Sequence, residues 1–372
     1  MTDRGTRAGS DPIDWGHARR VARMVAGREP LAESYLGASL TTDFSGLTTD
    51  AEALVAEFTG LRAAAPATAA LLDRHAWVDA NVESLRRLLG PLTARLGTRL
   101  QHGVFAPVAR VTAAAEMGFL LGFLAKRVLG QYDLLVFEAD EADGSASSAP
   151  AADAVYYVGP NILAIEKRYA FRPRDFRLWI ALHEVTHRAQ FNGVPWMRAH
   201  YLSLVEQMLS LVDPDPLILF RALGNVADEL RAGRNPLDQG GLVALFATEQ
   251  QRAVLDQVQA LMSLLEGHGN YVMSELGRVH VHGEERMARV LSARRRRTGL
   301  GAQVHKLLGF DAKMRQYEIG ERFVRAVIDR GGPEALDRAW ADPTALPSLA
   351  ELDAPESWLD RVRPLAPLAD HG

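Results

Sequence analysis

The sequence predicts a mainly helical fold of the α+β type with one small sheet, and three observations support this. Residues 13–130 and 174–330 keep apolar side chains three and four positions apart, which is the spacing of amphipathic helices. Residues 132–166 consist instead of short apolar runs rich in β-branched and aromatic residues, separated by turn-forming residues. With 372 residues, 48% of them hydrophobic, the chain is long enough to bury a large core.

The N-terminal part is predicted to form helices after a flexible tail over residues 1–12. Asp14 is an acidic N-cap candidate for the first helix, and Thr48, Thr49 and Asp50 offer capping side chains for the second. Gly118 and Gly122 form a G-x-x-x-G pair, which favours close packing of the fourth helix against a neighbour. The predicted helices are Trp15–Val25, Thr48–Ala63, Ala76–Leu85 (with Pro91 near its end) and Val111–Leu129.

The small sheet is predicted from a strand and a hairpin within residues 132–166. Asp133–Glu138 has the pattern of a strand, and the stretch from Glu141 to Asp153 is rich in loop-forming residues. Val155–Val158 and Ile162–Glu166 then flank a Gly-Pro-Asn turn. Such a hairpin either offers an edge strand that pairs with an extended peptide or only packs the helix that follows.

The remainder of the chain is predicted to be helical almost to its end. Residues 13–345 are expected to form a single catalytic unit, whose active-site helices span 174–330, and residues 346–372 to form a surface tail. Beyond residue 196, the predicted helices are Met197–Val212, Ile218–Arg231, Leu242–Leu265, Gly269–Gly277, Met287–Arg296 and Tyr317–Arg330.

The segment His183-Glu184-Val185-Thr186-His187 carries the strongest chemical signal in the chain. Histidines four residues apart lie on one face of a helix, where both imidazoles can bind one tetrahedral zinc ion. Glu184 can then act as a general base toward a water molecule that the metal activates. The predicted helix ends at Asn192-Gly193, and Pro195 prevents its continuation.

A catalytic zinc ion of this type needs a third protein ligand and one open position. The metzincin pattern is excluded, because it requires Gly and His where this chain has Gln190 and Gly193. Glu266 is the favoured ligand, since it ends an apolar helix face where an isolated carboxylate would be costly. Glu206, Glu229 and His268 remain alternatives.

Composition and charge narrow the possible functions. The net charge of −4 does not indicate nucleic-acid binding. The absence of cysteine excludes disulfides and thiolate ligands, and it fits a reducing, cytoplasmic setting. The N-terminus lacks the apolar run of a signal peptide, and the most apolar stretch, Met117–Ala125, is too short to span a bilayer. The oligomeric state is not predicted.

The sequence contains six blocks with a recognisable pattern: Trp77–Asn81, Arg127–Asp133, Tyr157–Asn161, Leu182–Trp196, Leu264–Met273 and Lys313–Phe323. Together they resemble the zincin-like metallopeptidase type 2 family. The likeness spans roughly residues 13–345, with the blocks in the order that the family shows. One branch of the family is associated with biosynthesis of the deazaflavin coenzyme, and this chain resembles that actinobacterial branch.

The resemblance implies a zincin-like helical metallohydrolase. One zinc ion would be held by His183 and His187, and by Glu266 through analogy with zincins that use a Glu-Gly pair on a later helix, with Glu184 as base. We expect His268, Tyr271 and Tyr317 to support a ligand or to face the substrate. The leading function is hydrolysis of an amide or peptide bond by a zinc-activated water molecule. A non-catalytic zincin scaffold linked to coenzyme biosynthesis and a small-molecule amidase are the alternatives.

Overall fold

Helices dominate the computed structural model, which describes residues 12–29, 37–100, 106–132, 153–210, 248–296 and 310–363. The predicted fold class, mainly α with a small sheet, is confirmed. Within these residues, no helix is both long and apolar enough to cross a bilayer. The elements are α1 (Trp15–Ala26), α2 (Leu40–Thr59), β1 (Thr68–Leu72), α3 (Arg74–Leu100), α4 (Ala106–Ala125), β2 (Gly130–Tyr132), β3 (Ala154–Val158), α5 (Gly159–Tyr169), α6 (Pro173–Gly193), α7 (Met197–Ser210), α8 (Glu249–His280), α9 (Glu284–Arg296), α10 (Phe310–Gly331), α11 (Pro333–Asp337), α12 (Leu349–Asp353) and α13 (Pro355–Arg361).

The sheet has three strands in the order β1-β3-β2. β1 pairs with β3 in parallel, with Leu72 opposite Val158, and β2 pairs with β3 in an antiparallel ladder that sets Gly130 opposite Tyr157. Every residue of the central strand β3 is buried. Sequence reasoning missed β1, because Thr-Ala-Ala-Leu-Leu has little intrinsic strand preference and depends on its partner strand.

The predicted hairpin is wrong in its second half. Residues 162–166 belong to α5, which begins directly after β3 and has Pro160 in its first turn, where a helix tolerates proline. Ile162, Leu163 and Ile165 are buried at helical spacing, and so short an apolar run does not distinguish a strand from a helix. The predicted strand over 133–138 lies outside the described residues.

Two of the predicted helix ends are absent from the structure. The helices expected over 242–265 and 269–277 are one continuous helix over the described part, α8, which runs through Gly267 and Gly269. α3 continues past Pro91 instead of ending there. The predicted helix over 218–231 lies outside the described residues.

The chain divides into two compact units, one formed by residues 1–189 with 276–283, the other by 190–275 with 284–372. Two of the three boundaries, 189/190 and 275/276, fall inside continuous helices, α6 and α8. In the first unit, α1 and α4 cross closely: a β-carbon at Gly122 would lie 2.5 Å from the backbone oxygen of Ala22. The G-x-x-x-G pair therefore packs two helices, as its spacing predicts. The expectation of one catalytic unit over 13–345 remains a prediction.

The second unit has a core to which the last helices contribute. Trp358 of α13 is fully buried, stacks edge-on against Phe323 of α10 at 5.3 Å, and donates to the carbonyl oxygen of Ala345 at 2.8 Å. Leu352 of α12 is also buried in this core. The surface tail expected from residue 346 is therefore wrong over 349–361. Prolines and acidic residues in this stretch favour a surface segment, but here they begin short helices: Pro355 is the first residue of α13, and Glu351 of α12 forms a capping box with Ser348.

Candidate metal centre

A buried ion pair anchors the N-terminal part of α6, the helix that carries the H-E-x-x-H segment. The Arg177 guanidinium donates to both carboxylate oxygens of Glu166 on α5, at 2.8 and 2.9 Å, and also pairs with Asp43 of α2. Burial raises the pKa of Glu166, and the bonds from Arg177 oppose that rise. The bidentate ion pair between Arg177 and Glu166 fixes the direction of α6 near its N-terminus.

The two histidines are more exposed than the residues around them in the middle of α6. All residues from Phe176 to Phe191 are buried except His183 and His187, which are half-buried. Because the two lie four residues apart, they share one strip of the helix surface. This strip is where the otherwise buried helix is open to a ligand.

The separation of the two imidazoles fits a shared metal ion. Nε2 of His183 and Nε2 of His187 are 3.3 Å apart. Two nitrogens bound to one tetrahedral zinc ion at the usual Zn–N length would be about 3.3 Å apart. The rings meet edge to face, with centroids 4.6 Å apart, so both nitrogens can point at one position.

Glu266 supplies a carboxylate to the same place. Among the described residues, one group of side chains is suited to hold a metal ion, and its members are His183, His187 and Glu266. One ligand atom from each lies within 4.8 Å of the other two. Two imidazole nitrogens and a carboxylate oxygen form a donor set typical of catalytic zinc, so the residues fit the ion that the sequence predicts.

The alternative third ligands, Glu206, Glu229 and His268, do not belong to this group of possible metal ligands as far as the structure describes them. Glu206 is exposed on α7 and is not in the group, and Glu229 lies outside the described residues. His268 is buried on α8 and is also not in the group. Glu266 itself is the half-buried member of a run, 263–269, in which the other residues are buried.

Close helix packing fixes the part of α8 that carries Glu266. A β-carbon at Gly267 would strike the backbone of Gly320 on α10, and one at Gly320 would strike the carbonyl of Ser263. The two helices therefore touch backbone to backbone beside Glu266. This contact brings together two of the blocks noted in the sequence, 264–273 and 313–323.

Glu184 lies against the edge of the sheet. Its side chain is 8% exposed, and a β-carbon on Gly130 of β2 would come within 2.5 Å of Glu184 Cγ and 2.7 Å of its Oε1. On the neighbouring strand, burial raises the pKa of Tyr157, a hydrogen bond with Thr48 lowers it, and the charge of Glu184 raises it further. Tyr157 is therefore an uncharged neighbour of Glu184.

A reciprocal amide pair holds β2 in this position. Gln131 donates to Asn81 Oδ1 at 3.1 Å and accepts from Asn81 Nδ2 at 3.3 Å, and Asn81 also donates to the carbonyl of Trp77 on α3. Gln131 follows Gly130 directly. The pair therefore fixes the strand segment that lies against Glu184, and it joins the blocks 77–81 and 127–133.

Arg188, the residue after the second histidine, holds α6 from its buried side. It is 1% exposed and donates to Glu52 at 2.6 Å, to Asp153 at 2.5 Å and to the carbonyl of Ala65 at 2.7 Å. Glu52 lies on α2, Asp153 directly precedes β3, and Ala65 lies shortly before β1. One buried cation thus links the motif helix to α2 and to the approaches to both parallel strands.

The geometry described above agrees with the comparison against known families. The model of a family described as zincin-like metallopeptidase matches residues 13–359. The chain belongs to this family. A zincin-like metallopeptidase is a metal-dependent hydrolase, and the predicted hydrolase class is thereby confirmed.

A solved structure is similar to this zincin-like metallopeptidase over almost its whole length. It is the crystal structure of a candidate hydrolase with a novel fold from Chloroflexus aurantiacus, with 31% sequence identity and a TM-score of 0.69. The similarity covers 94% of this chain and 98% of that one. Among curated proteins, none matches the chain. Nothing in these comparisons concerns the deazaflavin branch, which stays a prediction.

The tyrosines expected near the centre of the metallopeptidase have different surroundings. Tyr271 is half-buried on α8, packs against the core of the second unit and has the Arg325 guanidinium 5.5 Å from its ring centre. The Tyr317 side chain lies outside the described part of the structure, although its backbone belongs to α10. Sequence reasoning missed the part that Gly130 plays. Its one available signal was the block 127–133.

Proposed function

We propose that this protein is a zinc-dependent peptidase in which His183, His187 and Glu266 hold one zinc ion and Glu184 is the general base. The observation that carries the proposal is the meeting of two imidazoles and one carboxylate within 4.8 Å, on a helix where Glu184 directly follows the first histidine. A zinc ion held there would lower the pKa of a water molecule and polarise the carbonyl of an amide.

The protein's own residues then move the proton. Glu184 accepts a proton from the attacking water on its carboxylate and passes it to the nitrogen of the departing amine. Its small exposure keeps bulk water from the carboxylate, and Gly130 leaves room for it beside the strand. The neutral Tyr157 nearby adds no competing negative charge.

A peptide is the substrate class that this arrangement favours over a small amide. β2 ends the described sheet, and its first residue lies against Glu184. An extended peptide that pairs with such a strand is held by backbone hydrogen bonds, which makes binding tolerant of side-chain identity. The peptidase character of the family agrees with this substrate class.

The test compares metal content with turnover. Wild-type protein and Glu184→Gln are purified, zinc per chain is measured by elemental analysis, and hydrolysis is followed on a library of quenched fluorescent peptides. We expect one zinc ion per chain in both, and turnover about 100- to 10,000-fold lower in the variant. Glu206→Gln, at an exposed carboxylate on α7, is the matched control and should keep wild-type turnover.

Two outcomes would contradict the proposal. Full turnover in Glu184→Gln would exclude this residue as the base. A zinc-loaded wild-type protein that cleaves neither peptides nor small amides would indicate a zincin scaffold without catalysis. Cleavage of small amides alone would correct the substrate class.

A further inference from the structure

Gln190, three residues after His187, is fully buried and makes two hydrogen bonds to α8. Its Nε2 lies 2.9 Å from the carbonyl oxygen of Leu265 and 2.9 Å from Nδ1 of His268. A carbonyl oxygen only accepts, so the amide atom that faces it is the nitrogen. The orientation of the Gln190 amide is thus set by Leu265.

The same nitrogen determines the state of His268. An amide nitrogen only donates, so Nδ1 of His268 must accept, and the proton of the neutral ring is on Nε2. His268 is 4% exposed, and its ring centre lies 5.1 Å from that of Trp340, whose carbonyl accepts from the Trp196 indole at 3.0 Å. His268 is therefore held in one rotamer and one tautomer.

The two acceptors of Gln190 flank Glu266 in sequence. Leu265 precedes Glu266 and His268 follows it by two residues, while Gln190 is one helical turn beyond His187 on α6. The hydrogen bonds therefore join the turn that carries the carboxylate ligand candidate to the turn that carries the second histidine. Contact between Gly267 and Gly320 limits movement of α8 on another face.

We propose that Gln190 and His268 form a clamp that positions Glu266 relative to His187 and thereby sets the affinity of the centre for zinc. The proposal rests on the proposed function, since it takes the three residues to be ligands. Neither clamp residue binds the ion. Both act through the position of α8, so their loss weakens zinc binding even when the ligands are intact.

The test measures the zinc dissociation constant of the full chain by competition with a chromophoric chelator. Gln190→Leu removes both donors at similar size, and His268→Leu removes the acceptor. His268→Asn keeps an acceptor oxygen at the place of Nδ1. We expect affinity to fall about 10- to 100-fold in the two leucine variants, as for other groups that orient metal ligands, and to stay within about threefold of wild type in His268→Asn.

Gln257→Leu, at an exposed glutamine of the same helix, is the control and should bind zinc as the wild type does. The unfolding midpoint of each metal-free variant is measured in parallel, since a purely structural role would lower stability without changing the affinity of the folded protein. If Gln190→Leu does not fold, the zinc affinities of His268→Leu and His268→Asn still test the clamp.

Wild-type affinity in Gln190→Leu or His268→Leu would overturn the clamp while leaving the proposed function intact. Equal losses in His268→Asn and His268→Leu would overturn it as well. A wild-type protein that binds no zinc would refute the ligand set itself, and the clamp with it.

Discussion

Glu184 owes its position to its place on the helix and to a residue far away in sequence. Successive residues on an α-helix are about 100° apart, so Glu184 lies on the flank of the strip that carries His183 and His187. On that flank the neighbour is Gly130 of β2. As the proposed general base, Glu184 would have to be positioned to within a fraction of an ångström, and the lack of a side chain at Gly130 leaves space for its carboxylate.

Gly130→Ala tests this placement. The added methyl group would overlap Glu184 Cγ and Oε1, so the carboxylate must move away from its position. We expect turnover to fall about 100-fold, which is the usual effect of a misplacement near 1 Å, with zinc content unchanged. Peptide hydrolysis and elemental analysis on the same preparation measure both quantities.

Gly46→Ala is the matched control for this substitution. Nothing lies within 4 Å of a β-carbon at Gly46 of α2, so the change should leave turnover unaltered. If Gly130→Ala retains wild-type turnover as well, Glu184 does not depend on the strand for its position.

At the scale of elements, glycines set the distances between helices. α1 and α4 cross where Gly118 and Gly122 face the backbone of Ala18 and Ala22, and α8 crosses α10 at Gly267 and Gly320. In each case the helix backbones replace side chains as the contacting surface. The second crossing lies beside Glu266, so its geometry bears on the proposed metal centre as well as on stability.

Gly122→Ala should destabilise the protein although alanine favours helix. The methyl group would lie 2.5 Å from the Ala22 carbonyl and 2.6 Å from Val25 Cβ, so α1 must shift away. Overpacking of this kind costs about 1–3 kcal/mol, and the better helix propensity of alanine returns about 1 kcal/mol. The free energy of unfolding in urea is the measurement.

Gly90→Ala in α3 provides the comparison, because the space around its β-carbon is open. That variant should be as stable as the wild type or slightly more stable. Equal unfolding midpoints for the two alanine variants would contradict the close crossing of α1 and α4.

At the scale of the whole molecule, the fold extends beyond the part that sequence patterns marked as structured. The core of the second unit includes residues of α10, α11, α12 and α13, and Trp358 is its largest fully buried side chain. The family match, which reaches residue 359, agrees with a folded segment up to α13. These last helices are therefore part of the folded protein.

Trp358→Ala should be strongly destabilising. Truncating a buried tryptophan leaves a cavity and frees the Ala345 carbonyl, at a cost of about 3–5 kcal/mol in the free energy of unfolding. Val279→Ala, at a side chain that is 77% exposed, should change it by no more than about 0.5 kcal/mol. Chemical denaturation of both variants checks the contrast, and a small effect at Trp358 would restore the surface-tail interpretation.

The parts of the fold and of the site that the sequence predicted are those that depend on local spacing. The motif histidines, the end of α6 at Gly193 and the strand β3 follow from periodicity and capping over short distances. β1, the continuity of α8 and the burial of Trp358 depend on partners far along the chain. The roles of Gly130 and Gln190 were not predicted for the same reason. Both depend on contacts with residues far along the chain, which the local spacing of residues does not reveal.

The central claim is that His183, His187 and Glu266 hold one zinc ion, and anomalous diffraction at the zinc edge from crystals of the zinc-loaded protein tests it most directly. We expect one peak per chain, at about 2.0–2.2 Å from a nitrogen of each histidine and from a carboxylate oxygen of Glu266, with a position left for water. A peak bound by a different third residue, or by four protein ligands, would contradict the account.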